Sequence, residues 1–146
     1  MRRKDVQIGK YCGFYRHIDK YWKVDSDLFR IIEMPNSNSE MVKCQIIASS
    51  YICYVCDFEE YPTIFMPYKY LIELNHAMDF LNWHIGDKLK VNALGNKRSL
   101  YYKDAIYKIT NIKLNNNKEI YVYAKKDGSY RDIVIPPVYF ERILSC

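Results

Sequence analysis

The stretch IYVYAKKDGSYRDIVIPP, residues 120–137, decides the fold class. Residues 120–123 and 133–135 are β-branched and aromatic runs, which are typical of strands. Between them lies Asp127-Gly128, and both residues tolerate the positive φ that a tight hairpin turn requires. The second run stops at Pro136, because proline has no amide hydrogen to give to a sheet ladder. The stretch therefore predicts an antiparallel hairpin.

Similar patterns continue outward from this hairpin. Residues 107–114 precede it, separated by the turn-forming Asn115-Asn116-Asn117. Further upstream, residues 29–32 and 42–47 are apolar runs on either side of a turn-rich segment. Strand signals thus outnumber helix signals, and we predict an all-β fold of antiparallel meanders.

Residues 74–83 break this pattern. Leu74, Met78 and Leu81 fall at i, i+4 and i+7, the spacing of one helix face. The segment therefore indicates one short helix or a turn-rich connector, and it is a natural boundary between two domains. We assign residues 1–75 to a first domain, 76–84 to the connector and 85–146 to a second domain.

The two domains resemble each other in order. Ile8-Gly9-Lys10-Tyr11 opens the first domain and Ile85-Gly86-Asp87-Lys88 opens the second. Residues 64–70 and 133–140 are the corresponding closing segments, each with proline and tyrosine. Each half has about the length of a five-stranded SH3-like barrel, a fold that closes most of its strand edges.

Composition agrees with a globular protein. The chain has 146 residues, of which 49% are hydrophobic and 27% are charged. No apolar run reaches the length of about 18 to 20 residues that a membrane helix needs, so we expect no membrane partner. The five cysteines are an odd number without framework spacing, which favours reduced thiols and a cytoplasmic or nuclear location.

Charge is divided unevenly between the halves. Residues 1–78 contain ten Lys/Arg and ten Asp/Glu, so the whole net charge of +5 belongs to residues 79–146. A basic second half suits phosphate or another acidic surface, although the excess is modest.

Catalytic and metal-binding motifs are missing from the sequence. The five glycines are too scattered for a phosphate-binding loop, and the three histidines match no nucleophile–base spacing. Cys53 and Cys56 have zinc-knuckle spacing, but residues three apart on a strand point to opposite faces. We therefore predict neither enzyme activity, nor a cofactor, nor a metal site.

At several points the chain resembles the Tudor and Agenet-type barrels of the Royal superfamily, in tandem. In the second half the resemblance rests on four segments, which are residues 86–93, 101–106, 121–128 and 138–143. In the first half Phe58-Glu59-Glu60-Tyr61-Pro62 resembles the turn from which tandem-Tudor readers build a cage for methylated lysine. The resemblance implies two SH3-like barrels packed together and a nuclear, non-catalytic chromatin reader.

The partner that the resemblance implies is a histone tail carrying methyl-lysine. Its cage would consist of Phe58, Tyr61, Glu59 and Glu60, with Tyr21 or Trp22 as the third ring. A methylated ammonium keeps its charge and gains apolar surface, so aromatic faces attract it and a carboxylate adds Coulombic attraction. The alternative is that these rings pack between the barrels while the two glutamates are solvated.

The second half is a poorer reader of methyl-lysine. Tyr101, Tyr102 and Tyr123 form a candidate aromatic groove, but Lys125 and Lys126 stand where the first half has glutamates. Two alternatives therefore remain open, an adaptor for an unmodified or proline-rich peptide and a nucleic-acid-binding protein. The candidate phosphate contacts are Lys97, Arg98, Lys103, Lys125, Lys126 and Arg131, which otherwise form an ordinary solvated face.

Overall fold

The computed structural model describes residues 1–14, 27–98 and 101–144, without the side chains of residues 97 and 98. This part of the chain is predominantly β, which confirms the all-β prediction. Its eleven strands belong to one sheet, and every strand pair is antiparallel. Within these ranges the structure has no helix long and apolar enough to cross a membrane.

The first repeat contains five strands that pair in the order β6-β1-β2-β3-β5. A sixth strand, β4, leaves this order and is described below. The strands are β1 (Tyr11–Phe14), β2 (Leu28–Glu33), β3 (Met41–Ser49), β4 (Ile52–Tyr54), β5 (Thr63–Pro67) and β6 (Leu71–Glu73).

The second repeat has the same pairing order, β11-β7-β8-β9-β10. Its strands are β7 (Lys88–Val91), β8 (Tyr107–Leu114), β9 (Glu119–Lys126), β10 (Asp132–Ile135) and β11 (Phe140–Arg142). The predicted hairpin is therefore β9 and β10. In both repeats a one-turn 3-10 helix, Tyr68–Tyr70 or Pro137–Tyr139, immediately precedes the last strand.

Matching hydrogen bonds show which individual residues of the two repeats correspond. Gly9 and Gly86 have φ of 95° and 97°, a left-handed conformation that glycine adopts without strain. The amide of Gly9 donates to the carbonyl of Ile31, and the amide of Gly86 donates to the carbonyl of Ile109. Gly9 therefore corresponds to Gly86, as the opening motifs in the sequence suggested, and Ile31 corresponds to Ile109.

Strand β4 joins the two repeats. It forms a hairpin with the end of β3, where Ala48 pairs with Cys53. On its other side it pairs with the beginning of β9, through Cys53 with Ile120 and Tyr54 with Glu119. The backbone ladder consequently runs without interruption from one repeat into the other.

The hydrophobic core also crosses the sequence-predicted boundary. One cluster of buried residues lies inside the first repeat and includes Phe14, Phe29 and Met66. The other joins Leu28 and Ile47 of the first repeat to a larger set from the connector and the second repeat. The members of that set include Phe80, Trp83, Leu89, Tyr107, Val122, Tyr139 and Phe140.

The connector consists of turns and one short 3-10 helix, and Leu81 of the predicted helix face is 49% exposed. A 3-10 helix, Asp79–Asn82, buries Phe80, and Trp83 follows it into the shared core. The two rings meet edge to face, with centroids 6.5 Å apart. The connector is thus part of the packed structure rather than a solvated linker.

A short α-helix, α1 (Ala93–Arg98), was not anticipated from the sequence. The side chain of Asn92 caps it by accepting a hydrogen bond from the amide of Gly95 at 2.9 Å. A Cβ at position 95 would lie 2.8 Å from the carbonyl oxygen of Tyr139. Gly95 is therefore required by close packing against the 3-10 helix that precedes β11.

Candidate functional site

Three aromatic rings surround a guanidinium group on the outer face of the first repeat. The Cζ atom of Arg30 lies 4.9 Å from the ring centroid of Phe58, 5.5 Å from that of Tyr61 and 5.8 Å from that of Tyr11. All three distances are within the range of cation–π attraction. We call the rings of Tyr11, Phe58 and Tyr61 the aromatic cage.

Strand register brings these residues together. Tyr11 of β1 pairs with Arg30 of β2, Arg30 pairs with Gln45 of β3, and Gln45 pairs with Thr63 of β5. Directly paired residues on neighbouring strands point to the same side of a sheet. The four side chains therefore form one row across four strands, and the turn that contains Phe58 and Tyr61 covers it.

Gln45 fixes both the cation and the turn. It is 2% exposed, and its side-chain oxygen accepts two hydrogen bonds from Arg30, one of them from Nε at 2.9 Å. Its Nε2 donates to the main-chain oxygen of Phe58 at 2.6 Å. The buried amide is thus satisfied on both sides, which makes the position of the turn depend on Arg30.

The two rings of the turn differ in accessibility. Phe58 begins the 3-10 helix Phe58–Glu60 and is 56% exposed. Tyr61 is half-buried, and its hydroxyl donates to the carbonyl of Tyr54 at 3.3 Å. Burial raises the pKa of Tyr61, so the phenol stays neutral at physiological pH. The cage is consequently open to solvent on the Phe58 side.

The acidic residues of the turn lie beside the cage rather than against Arg30. Glu60 forms an ion pair with Lys118, at 3.3 Å, across the junction of the repeats. Glu59 is exposed and forms no ion pair within the described ranges. Both carboxylates can add negative potential at the mouth of the cage, and neither neutralises the guanidinium.

The third ring of the cage is Tyr11, which the sequence analysis did not single out. Tyr21 and Trp22, the residues expected in that place, lie outside the described residues. The signal for Tyr11 was its position two residues after Gly9, at the start of the first strand. Without the strand register, however, nothing in the sequence connects Tyr11 to a turn nearly fifty residues away.

The candidate aromatic groove of the second repeat is not assembled as a unit. Tyr101 packs on Tyr107, Tyr139 and Phe140, and burial raises its pKa. Tyr102 is 69% exposed, with the Nζ of Lys126 3.8 Å from its ring centroid.

Tyr123 lies elsewhere on the second repeat. It alternates along β9 with the buried Val122 and Ala124, which places it on the outer face of the sheet. The Nζ of Lys113 lies 4.9 Å from its ring centroid. Tyr123 therefore points away from the core that Tyr101 contacts.

The candidate phosphate contacts are dispersed. Lys125 lies on the outer face of β9, 3.9 Å from a carboxylate oxygen of Asp132, whereas Lys126 covers Tyr102. Lys103 is exposed in a turn, and Arg131 is exposed immediately before β10. The side chains of Lys97 and Arg98 lie outside the described part of the chain, although the backbone places both residues in α1.

A cleft of about 600 Å³ lies where the two repeats and the connector meet. Trp83 lines it, and the Nε1 of this indole has no hydrogen-bond partner among the residues described. The apolar side chains on its walls include Leu28, Leu74, Leu94, Val138 and Phe140.

Three of the cysteines are buried thiols. Cys12, Cys44 and Cys53 have no exposed surface, and burial raises the pKa of each thiol to about 12. Cys56 is partly exposed beyond the end of β4. Within the described ranges no three His, Cys, Asp or Glu side chains come together as a metal site.

Comparison with known proteins adds no family to this description. No protein-family model matches the chain, and neither does any curated protein. The function therefore has to be inferred from the site itself.

Proposed function

We propose that the protein is a non-catalytic chromatin reader that binds a methylated lysine of a histone tail in the aromatic cage. The observation that carries the proposal is the arrangement of three rings around a cation in the first repeat. In the same proposal the two repeats are interpreted as tandem SH3-like barrels of the Tudor type, packed side by side in a nuclear protein.

The chemistry of the cage suits a methylated ammonium. Three aromatic faces provide negative electrostatic potential, which attracts a cation that has exchanged N–H donors for methyl groups. The oxygens of Gln45 and Tyr11, which accept hydrogen bonds from Arg30, would accept any N–H that a lower methylation state retains. Glu59 and Glu60 at the mouth would attract the rest of a basic tail. The exposed side of Phe58 provides the path by which a lysine side chain would enter.

In the structure the cage holds the protein's own Arg30, so a ligand has to replace the guanidinium. The replacement costs the hydrogen bonds between Arg30 and Gln45 and the contacts of Arg30 with the rings. Arg30 is half-buried, and its long side chain can turn outward to solvent. We therefore propose that Arg30 acts as a competitor that lowers the affinity of the resting protein.

Calorimetric titration with histone-tail peptides tests this proposal. The peptides are unmodified, mono-, di- and trimethylated, and the proteins are the native chain and Arg30→Gln. The glutamine removes the cation while it keeps an amide donor for Gln45. We expect Arg30→Gln to bind the trimethylated peptide at least tenfold more tightly than it binds the unmodified peptide. We expect the native chain to bind the trimethylated peptide more weakly than Arg30→Gln does.

Two further variants define the site. Phe58→Ala removes an exposed ring of the cage and should abolish the preference for the methylated peptide. Tyr130→Ala removes a ring that is 97% exposed in the second repeat and should leave the preference intact. If neither the native chain nor Arg30→Gln, both shown to be folded by circular dichroism, distinguishes the methylated peptide, the proposal is wrong.

A further inference from the structure

Three lysines lie side by side on the outer face of the second repeat. Lys88 of β7 pairs with Lys108 of β8, and Lys108 pairs with Lys125 of β9. Since paired residues point to the same side, the three ammonium groups occupy one line across three strands, which are about 4.8 Å apart. We call Lys88, Lys108 and Lys125 the lysine row.

This arrangement of three lysines does not stabilise the fold. Like charges that face each other across strands destabilise a sheet. Lys88 and Lys108 form no ion pair within the described ranges, and Lys125 has one distant carboxylate, that of Asp132, at 3.9 Å. The repulsion is therefore only partly offset inside the molecule, and a bound anion would relieve it.

Aromatic side chains adjoin the lysine row on the same face. Tyr123 is two residues before Lys125 on β9, and Tyr121 is two residues before Tyr123, so the three side chains point in one direction. Lys113 of β8 pairs with Tyr121 and lies 4.9 Å from the ring of Tyr123. Positive charge and flat rings thus alternate on a surface formed by β8 and β9.

A groove continues the row toward the hairpin turn. It is lined by Lys108, Lys125 and Lys126, by the turn residue Asp127, and by Thr110 at a β-bulge. The hydroxyl of Thr110 is buried and has no hydrogen-bond partner among the described residues.

We propose that this face binds the backbone and bases of a single-stranded nucleic acid. The lysine row contacts consecutive phosphates, and Tyr121 and Tyr123 stack on bases once Lys113 moves to a phosphate. Positive grooves combined with aromatic platforms are the usual means of binding single strands. Asp127 and Asp132, the carboxylates next to the lysine row, weaken the positive field at the hairpin end, so the strand is expected to follow Lys88 and Lys108.

Fluorescence anisotropy with a labelled 20-nucleotide oligo(U) tests the inference, with the native chain and the triple variant Lys88→Gln/Lys108→Gln/Lys125→Gln. At about 100 mM salt we expect the triple variant to bind at least tenfold more weakly. For single strands, each phosphate contact contributes about −0.7 to the slope of log affinity against log salt concentration. Loss of three contacts should therefore make the slope of the triple variant about two units less steep than that of the native chain. Tyr121→Ala should weaken binding at least fivefold with an unchanged salt slope.

A charge-matched variant controls for net charge alone. Lys4→Gln/Lys43→Gln/Lys69→Gln removes three lysines from the first repeat. It should retain most of the affinity of the native chain, and so should Phe58→Ala, which separates this site from the aromatic cage.

Three results would overturn the inference. The first is failure of the native chain to bind oligo(U) at about 50 mM salt. The second is an equal loss of affinity in both triple variants. The third is binding to anionic phospholipid vesicles or to a phosphopeptide with no binding of oligo(U). Resonance shifts of the native protein during the oligo(U) titration provide the same decision without a variant. Shifts confined to β7, β8 and β9 support the inference, and shifts confined to other strands overturn it.

Discussion

One row of four side chains occurs twice in this protein, at equivalent positions of the two repeats, and its chemistry differs completely. Both rows cross four strands in the same register, and both begin two residues after a glycine with positive φ. In the first repeat the row is Tyr11, Arg30, Gln45 and Thr63. In the second repeat it is Lys88, Lys108, Lys125 and Asp132.

In the first row the charged group has hydrogen-bond and ring partners around it, whereas in the second row the lysines have no such partners among the residues described. Arg30 has a buried amide and three rings around it, and a turn closes over the group. The second row has three cations and, within the described ranges, one distant carboxylate. The same backbone frame therefore carries a closed cation site in one repeat and an open, repulsive surface in the other. Strand pairing sets where the side chains meet, and their chemistry decides what the surface binds.

Alkaline pH should affect the two repeats very differently and has the largest expected effect. Cys12 and Cys44 lie in the core of the first repeat and Cys53 lies on β4, whereas strands β7 to β11 contain no cysteine. The pKa of each of these thiols is raised from 9.0 to about 12, so the folded state holds three protons that the unfolded chain releases above pH 9.

Stability is thus unaffected by these thiols below pH 9 and falls between pH 9 and 12. Each thiol contributes about 1.4 kcal/mol per pH unit, or about 4 kcal/mol per unit for all three. Urea unfolding from pH 7 to 10 measures the slope, and Cys12→Ala should lower it by about one third. Above pH 10 the tyrosines whose pKa is raised by burial, Tyr101 among them, also contribute. Hydrogen exchange should show β1 to β3 opening before β7 and β8. If the unfolding free energy of Cys12→Ala falls with pH as steeply as that of the native chain, the pH dependence does not come from this buried thiol.

A matched pair of alanine substitutions compares the two rows directly. Arg30→Ala leaves the buried amide of Gln45 without its donor and removes the ring contacts, so we expect a loss of about 2 to 4 kcal/mol of unfolding free energy. Lys108→Ala, at the equivalent position, should change it by no more than about 0.5 kcal/mol. Urea denaturation gives both values, and equal losses would mean that the rows do not differ as described.

The smallest effect comes from reversing the central charge of the lysine row. Lys108→Glu places a carboxylate between two ammonium groups, so the free energy of unfolding should rise by about 0.5 to 1 kcal/mol. Salt should stabilise the native protein by screening the row and should have less effect on the variant. Thermal melts at about 50 and 500 mM salt measure both effects. Destabilisation by Lys108→Glu would show that the three lysines do not repel each other.

Much of the fold was accessible from sequence because it depends on local signals. The hairpin at Asp127-Gly128, the turn-rich connector and the paired glycines Gly9 and Gly86 are encoded by residues close together in the chain. Helix α1 was missed because its six residues depend on the cap of Asn92 and on packing of Gly95 against Tyr139. A helix this short has little periodic signal of its own.

The site was only partly accessible for the opposite reason. Phe58 and Tyr61 stand out as a local motif, and the structure does place their rings together around a cation. The cation and the third ring come from β2 and β1, and only strand register shows that Arg30 and Tyr11 face them. The lysine row is equally hidden, since Lys88, Lys108 and Lys125 are about twenty residues apart in sequence.

The shared strand β4 also determines whether the second repeat can be separated from the first without exposing a strand edge. Its pairing covers the first residues of the edge of β9 that β10 leaves uncovered. A fragment containing the second repeat alone would expose that edge, and exposed strand edges recruit other chains. Strand β4, which belongs to the first repeat, therefore protects the second repeat from aggregation. The two repeats are best produced, stored and studied as one molecule.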